Sequence, residues 1–150
     1  MIGFDTNIVV HSANRDSPCY ERAREFLDDL GSTRGVVVCE LMLVEVFLKL
    51  CSSKIFKKPM SPGEAGAYCQ AMRQNQNWLL VESAPVMPDV WGWTEKRGFA
   101  FRRIIDIRLG LTLRHFGVTE FATTNEKDFR GLGFTRVLNP LAQQSVRNRK

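Results

Sequence analysis

The sequence has 150 residues, of which 44% are hydrophobic and 25% are charged. A chain of this length and composition forms one domain with a sizeable core, which excludes a disordered chain, a collagen and a disulfide-stapled mini-protein. The net charge of +5 favours an anionic partner, although many equally basic proteins bind no nucleic acid.

Cysteine usage and hydropathy bear on the cellular compartment. The four cysteines lack the close spacing of a zinc knuckle, and they are Cys19, Cys39, Cys51 and Cys69. Because cytosolic thiols stay reduced and the sequence opens without a signal peptide, we expect a cytoplasmic protein. The sequence contains no run of about 18 or more apolar residues, so we expect no membrane span.

In chain order, the first predicted element is a short apolar strand at 2–4. Polar residues 5–7 follow it and suit a turn or a helix start. A helix is predicted over 17–31, with Ser17 as its cap, Pro18 at its first position and Gly31 at its end. A buried, β-branched strand at 35–39 and a Leu- and Met-rich helix at 41–50 come next.

The second half of the chain begins with Ser61 and Glu64, which form a capping box and predict another helix start. A third strand is predicted at 78–81, and Pro88 marks a further helix start. The clearest helix after it runs from about Gly98 to His115 and is closed by the following glycine. The last two predicted strands are 119–124 and 133–138.

The alternation of short strands and helices predicts an α/β domain of three layers. We expect a mainly parallel central sheet of about five short strands, with helices on both faces, spanning residues 1–150 as one domain. A polar tail from about residue 143 is expected to be flexible. Ligands of such sheets bind at the carboxyl ends of the strands, so the residues after each strand are the first candidates for a site.

Asp5 and Glu45 are the first two candidates. Asp5 ends the first strand, where local sequence favours a helix cap over a metal ligand, although the two roles are compatible. Glu45 lies in a helix that is apolar almost all round and is therefore predicted to be buried. A buried carboxylate is costly unless it is paired, here with Lys49 four residues on, or binds a cation.

Asp106 lies between apolar neighbours on the helix that ends at His115. The alternatives for this acid are a metal site or an ion pair with Arg102 or Arg103, one turn before it. Gly110 lies one turn after it, and a glycine inside a helix suggests close approach by another group.

Asp128 follows the fourth predicted strand, three residues after Asn125, where the two residues suit a capped turn. Two acids near strand ends and two on apolar helices can converge on one crevice. Their repulsion would raise the pKa of each, and a divalent cation would remove it. Carboxylate oxygens suit Mg²⁺ or Mn²⁺, and such a site performs phosphoryl chemistry.

Five segments together resemble the motifs of the PIN-domain family, in family order and spacing. They are Asp5-Thr6-Asn7, Glu45 six residues after Cys39, the helix at 105–113, the segment 124–129 and the segment 137–140. The nearest resemblance is to the VapC-type toxins of prokaryotic toxin–antitoxin pairs. Two departures are Cys39, where the family often has serine or threonine, and the ambiguous fourth acidic position.

The resemblance implies a Mg²⁺- or Mn²⁺-dependent endoribonuclease that leaves 5′-phosphate and 3′-hydroxyl ends. It also implies a homodimer and a cognate antitoxin that blocks the acidic crevice. By the same resemblance, Asp5, Glu45 and Asp106 would hold the ion. Asn125 or Asp128 would complete or orient the site, and the choice between them stays open.

An acidic crevice repels RNA unless basic or polar walls offset the repulsion. The residues expected to contact RNA are Thr6, Asn7, Arg102, Arg103 and Arg108. Further basic candidates are Lys54, Lys57, Lys58, Lys96 and Arg97. The alternatives to a toxin are a non-catalytic nucleic-acid or protein-binding module on the same fold, and a housekeeping RNA-processing nuclease.

Overall fold

A computed structural model describes residues 1–143 and places five strands in one sheet. The strands are β1 (Ile2–Phe4), β2 (Val36–Cys39), β3 (Trp78–Val81), β4 (Glu120–Ala122) and β5 (Arg136–Leu138). Their order across the sheet is β3-β2-β1-β4-β5, and every neighbouring pair is parallel. The flexible tail predicted from about residue 143 falls on residues 144–150, outside the described part.

Seven helices connect and cover the strands in the described part of the chain. They are α1 (Thr6–Ala13), α2 (Tyr20–Gly31), α3 (Glu40–Leu50), α4 (Pro62–Arg73), α5 (Met87–Thr94), α6 (Ile104–His115) and α7 (Glu126–Phe129). A 3₁₀ turn at Phe101–Arg103 precedes α6. Within residues 1–143, every helix is too short or too polar to cross a bilayer.

The strand order explains why helices cover both faces. The chain moves outward from β1 to β2 and β3, then returns to β4 on the other side of β1 and continues to β5. Because crossovers between parallel strands are right-handed, the connections before and after this reversal lie on opposite faces. Helices α1–α4 therefore cover one face and α5–α7 the other, which confirms the predicted three-layer α/β domain.

The core forms around the central strands. All four residues of β2 are buried, as the continuous β-branched run predicted. Phe4 of β1 and Phe121 of β4 are almost fully buried beside them. The predicted capping box at the start of α4 is also confirmed, since the Ser61 hydroxyl accepts from the Glu64 N–H and the Glu64 carboxylate accepts from the Ser61 N–H.

Two predicted helix starts were wrong. Helix α2 begins at Tyr20 rather than Ser17, because the Ser17 hydroxyl accepts from the Cys19 N–H at 3.1 Å and caps a turn instead. Helix α6 begins at Ile104 rather than near Gly98, which has a φ of +75° that a helix does not admit. The predicted glycine end of α6 is confirmed, with Gly117 at a φ of +86°.

Helix α3 is not buried all round, contrary to its composition. Val44 and Leu48, one turn apart, are 56% and 61% exposed, whereas Met42, Leu43 and Val46 are buried. The sides that pack on the sheet, on α1 and on α4 are covered. The opposite side leaves a row of apolar side chains open to solvent, which marks an interaction surface.

The close approach predicted at Gly110 is confirmed. A Cβ at this position would lie only 2.5 Å from Leu132 Cδ1. It would be in ordinary van der Waals contact with the rings of Phe134 and Phe129, at 3.5 and 3.6 Å. The absence of a side chain therefore lets the segment after α7 pack directly on α6. Gly66 in α4 offers a contrast, because a Cβ there meets no heavy atom within 4 Å among the described residues.

Replacing each of these two glycines by alanine should have opposite effects on stability. Gly66→Ala should raise the free energy of unfolding by about 1 kcal/mol, because alanine loses less backbone entropy in a helix. Gly110→Ala should lower it by about 1 kcal/mol, because overpacking a buried contact costs about 1–3 kcal/mol. Urea unfolding of both variants measures this difference, and equal stabilisation by both would contradict the packing described for α6.

Candidate active site

The candidate site lies at the carboxyl ends of β1 and β4, which are neighbours where the strand order reverses. Asp5 directly follows β1, and Thr123 directly follows β4. In open parallel sheets this reversal leaves a crevice, because the flanking connections depart to opposite faces. Both helical layers can therefore supply side chains to one place.

Asp5 is buried, and its carboxylate accepts three hydrogen bonds. Its Oδ1 accepts from the Thr6 N–H at 2.7 Å, so it caps α1 as predicted. Its Oδ2 accepts from the Thr123 hydroxyl at 2.8 Å and from the Asn7 amide at 3.1 Å. Burial raises the pKa of Asp5, while the Thr123 hydroxyl and the positive charge of Lys49 act to lower it.

Glu45 reaches the same place from α3. It is half-buried, and its Oε2 accepts from the Thr6 hydroxyl at 3.0 Å. Thr6 therefore holds Asp5 through its backbone N–H and Glu45 through its side chain. Burial raises the pKa of Glu45, and the charge of Asp5 raises it further. The predicted alternative, a direct pair with Lys49, is not formed within 4 Å among residues 1–143.

Asp106 approaches from α6 on the other face of the sheet. Burial is the largest cause that raises its pKa, to about 7, followed by the charges of Asp5, Glu45 and Asp128. The predicted pairing with a neighbouring arginine is absent from the described ion pairs. Arg103 instead lies 3.5 Å from Asp128, and among residues 1–143 Asp106 has no ion-pair partner within 4 Å.

Asp128 and Asn125 act together on α7. The Asn125 amide donates a hydrogen bond to the Asp128 carboxylate. The Arg103 guanidinium donates to the backbone carbonyl of Asp128 at 2.9 Å and lies beside its carboxylate. The negative charge of Asp128 raises the pKa of Asp5 and Asp106, so this carboxylate adds to the acidic crevice. The Asn125 side chain is exposed, and its contribution to the site is the hydrogen bond to the Asp128 carboxylate.

Thr123 and Lys49 were not predicted as site residues. Thr123 is fully buried, and its hydroxyl accepts from the Asn125 N–H at 2.9 Å while donating to Asp5. Its only sequence signal was its place at the end of the fourth strand. Lys49 is half-buried, and its charge lowers the pKa of three acids, although the sequence indicated only a pair with Glu45.

The residues predicted to contact RNA occupy different surroundings. Thr6 is fully buried and Asn7 bonds Asp5, so both hold the site together. Arg108 lines a cavity of about 300 Å³ between α3 and α6, beside Cys39. Arg102 is exposed, with its guanidinium 5.6 Å from the Phe101 ring.

The donor set fits a hydrated Mg²⁺ or Mn²⁺ ion. Within residues 1–143, no three acidic, histidine or cysteine side chains are arranged so that together they could hold a metal ion without water ligands. Mg²⁺ needs no such cage, because it retains several waters and binds proteins through one or two carboxylates. The four carboxylates supply hard oxygen ligands, and a cation would relieve the repulsion that raises the pKa of Asp106.

Known proteins resemble this chain at the level of sequence. No family model matches it. It is 43% identical over 141 residues to the ribonuclease VapC24 of Mycobacterium tuberculosis, in strains CDC 1551 and H37Rv. That alignment covers 94% of this chain and 97% of the relative.

Solved structures share the fold at low sequence identity. The crystal structure of Mycobacterium tuberculosis VapC20, a sarcin-ricin loop cleaving toxin, has a TM-score of 0.62 at 16% identity and covers 89% of this chain and 96% of its own. FitAcB from Neisseria gonorrhoeae has a TM-score of 0.62 at 17% identity and covers 95% of this chain and 100% of its own. These likenesses show a common fold.

The burial of Asp106 among other acids predicts a pH-dependent stability of the metal-free protein. Its folded pKa of about 7 exceeds the ordinary 3.8, so the folded state binds more protons than the unfolded state between these values. Stability is therefore lost as pH rises through this window. Asp106→Asn should stabilise the protein at pH 8 by about 1 kcal/mol, a Tm gain of about 2–4 °C, after allowance for partial exposure.

The measurement is thermal unfolding in chelator at pH 4.5 and pH 8. The gain should be much smaller at pH 4.5, near the start of this window, where Asp106 is still protonated in the folded state. Asp28→Asn, a change of an exposed aspartate on α2, serves as the matched control and should leave Tm nearly unchanged at both values. An Asp106→Asn variant that is less stable than the parent at pH 8 would contradict the crowding of the acids.

Proposed function

The chain belongs to the VapC family of PIN-domain ribonucleases, and on that premise we propose that it is a Mg²⁺- or Mn²⁺-dependent endoribonuclease. The observation that carries this proposal is the convergence of four carboxylates from four elements on one crevice. Burial raises the pKa of Asp106 to about 7, and the charges of Asp5, Glu45 and Asp128 add to this rise. The ribonuclease name of the relative supports RNA as the substrate.

The hydrolysis adds water across a phosphodiester bond of RNA. A divalent ion at the crevice would supply charge neutralisation and activation of water. Asp5, Glu45 and Asp106 would hold it, with Asp128 as the fourth acid and Asn125 orienting Asp128. The hydrogen bonds to Asp5 and Glu45 fix these two carboxylates before the ion arrives, which lowers the cost of assembling the site.

RNA would reach the crevice along a basic and aromatic rim. Phe101 is 78% exposed and lies beside Arg102, just before the helix that carries Asp106. Such a pair can stack on a base and contact a phosphate. Arg103 forms an ion pair with Asp128, so its main role would be to position that carboxylate and not to bind RNA.

We also propose a homodimer formed through α3 and α6. Val44, which forms an exposed row with Leu48 on α3, lines the same cavity as Arg108 of α6, and Ile105 is exposed one turn before Arg108. A contiguous exposed apolar patch of this kind is typical of a protein–protein interface. A twofold contact would cover the patch on both copies.

We propose that the protein is the toxin of a toxin–antitoxin pair and that a cognate antitoxin blocks the acidic crevice. Membership of the VapC family supports this role. We place the protein in the cytoplasm, which is supported by its four free cysteines.

Asp5→Asn tests the nuclease directly. The amide keeps the shape of the side chain but removes the charge, so we expect RNA cleavage to fall at least about 100-fold. The measurement is cleavage of a mixed RNA pool with Mn²⁺, with Mg²⁺ and with chelator, followed by analysis of the ends for 5′-phosphate. Asp28→Asn should cleave like the parent.

Circular dichroism and Tm show whether the Asp5→Asn protein is folded. Full activity of a folded Asp5→Asn variant would refute the proposed mechanism. A folded parent that neither cleaves RNA nor binds Mn²⁺ would instead favour a non-catalytic binding module.

Leu48→Glu tests the dimer. A carboxylate on the exposed face of α3 should weaken association at least about tenfold, because each copy would bury a charge at the contact. Leu79→Glu is the matched control, since Leu79 is also exposed but lies on the edge strand β3. Light scattering and sedimentation give the mass of each protein in solution. A parent protein that is still monomeric at 100 times the concentration used in the RNA cleavage assay would refute the proposed dimer.

A further inference from the structure

A second concave site adjoins the acidic crevice at the carboxyl ends of β2 and β3. It is the cavity of about 300 Å³ between α3 and α6. The register that pairs Ile2 with Val36 places Cys39, on the cavity wall, level with Asp5. Because neighbouring strands lie about 5 Å apart, the cavity begins next to the crevice.

Helices α3 and α6 contribute side chains to both sites. On α3, Leu41 and Val44 line the cavity, whereas Glu45 reaches the crevice. On α6, Arg108 lines the cavity two residues after Asp106. An RNA strand with one phosphate in the crevice would therefore pass the mouth of the cavity with a neighbouring nucleotide.

Arg108 is a half-buried arginine without a counter-ion. Among residues 1–143, no carboxylate lies within 4 Å of its guanidinium. Arg103 and Arg114, also half-buried, instead donate to backbone carbonyls. Burial raises the pKa of the Cys39 thiol, and the nearby charge of Arg108 acts in the opposite direction. The Arg108 guanidinium thus presents its donors at the cavity, beside this thiol.

The charges around the cavity favour a neutral ligand. Its acidic lining residues are Glu40 and Glu82. The Glu40 carboxylate accepts from the Arg73 guanidinium at 2.7 Å, so these two charges offset each other. Glu82 is exposed, has no ion pair within residues 1–143, and balances Arg108. A phosphate would meet two carboxylates here, whereas a neutral group with donors and acceptors would not be repelled.

The shape and lining of the cavity suit an RNA base. Leu41 and Val44 supply apolar wall, and Ser83 and Thr112 add hydroxyl groups. Ligand sites of about 300 Å³ and above typically combine apolar walls with a few polar groups. A nucleobase is flat, neutral and polar only at its edges. Guanine alone offers two adjacent acceptors, O6 and N7, for a guanidinium and two adjacent N–H donors for a carboxylate.

We propose that this cavity binds a guanine base of the RNA next to the cut, with Arg108 donating to O6 and N7 and the Glu82 carboxylate accepting from N1–H and N2–H. This inference rests on the proposed ribonuclease function, and it assigns base specificity to residues outside the acidic crevice. Val44 also belongs to the exposed row on α3, so occupation of the cavity by a second copy is the competing outcome of the test.

The test begins by mapping the cuts in a mixed RNA pool. Oligonucleotides with the mapped site then carry guanine, 7-deazaguanine or hypoxanthine next to the cut, and kcat/KM is measured for each. The first altered base lacks N7 and the second lacks the N2 amino group. The variants are Arg108→Met and Glu82→Gln, with Arg108→Gln in reserve if Arg108→Met does not fold. Arg34→Met is the matched control, because Arg34 is exposed and precedes the opposite end of β2.

We expect the parent to cut next to guanine and to lose about tenfold in kcat/KM with either altered base, a loss typical of one bidentate base contact. Arg108→Met should cut the guanine RNA about tenfold more slowly and should no longer distinguish 7-deazaguanine from guanine. Glu82→Gln should lose the preference for guanine over hypoxanthine. Arg34→Met should match the parent with every RNA.

Guanosine binding gives a readout that needs neither cleavage nor metal. Saturation-transfer NMR in chelator should detect guanosine bound to the parent and to Arg34→Met. The signal should be lost with Arg108→Met. Because guanosine carries no phosphate, this measurement separates recognition of the base from attraction of the RNA backbone.

Three results would overturn the inference while leaving the ribonuclease intact. The first is a set of cuts with no guanine preference, and the second is a parent that transfers no saturation to guanosine. The third is an Arg108→Met variant that cuts all three RNAs equally more slowly than the parent; a halved mass in sedimentation would then assign the cavity to the contact between copies. A folded parent that binds Mn²⁺ but cuts no RNA would refute the proposed function, and guanosine binding would then decide the cavity on its own.

Discussion

The burial of one carboxylate at the junction of β1 and β4 organises the site. A buried charge is tolerated only when hydrogen bonds replace its hydration. Asp5 obtains these bonds from the N-terminus of α1 and from the hydroxyl of Thr123 after β4. The same hydroxyl accepts from the Asn125 N–H, which directs the chain into α7. Satisfying Asp5 therefore fixes the start of one helix and the path that leads to Asp128.

The reversal of strand order supplies the remaining acids. Helices α3 and α6 cover opposite faces of the sheet, yet both approach the edge where β1 and β4 end. Glu45 and Asp106 thus reach one crevice from two layers. The folded chain keeps like charges together at a cost in stability, which is common where catalytic or binding function has shaped a site. Gly110 assists by letting the segment after α7 pack directly on α6.

Much of this architecture could be predicted from local patterns. Short apolar runs located the strands, and the positions of acids at strand ends or in apolar helices singled out Asp5, Glu45, Asp106 and Asp128. What local patterns lack is the order of strands, which long-range packing decides. Thr123 looked like any strand end, because its role depends on a partner 118 residues away. The start of α2 was misplaced because a serine caps a turn as readily as a helix.

The double role of Thr6 has a consequence for motion. Its N–H bonds Asp5 while its hydroxyl bonds Glu45, so one residue is shared by two carboxylates from different elements. A small motion of α1 that keeps both hydrogen bonds intact moves both oxygens with Thr6. The fluctuations of the two groups are thereby correlated, and the gap between them varies less than the position of either one. The distance between the two carboxylates in the crevice therefore changes little when α1 moves.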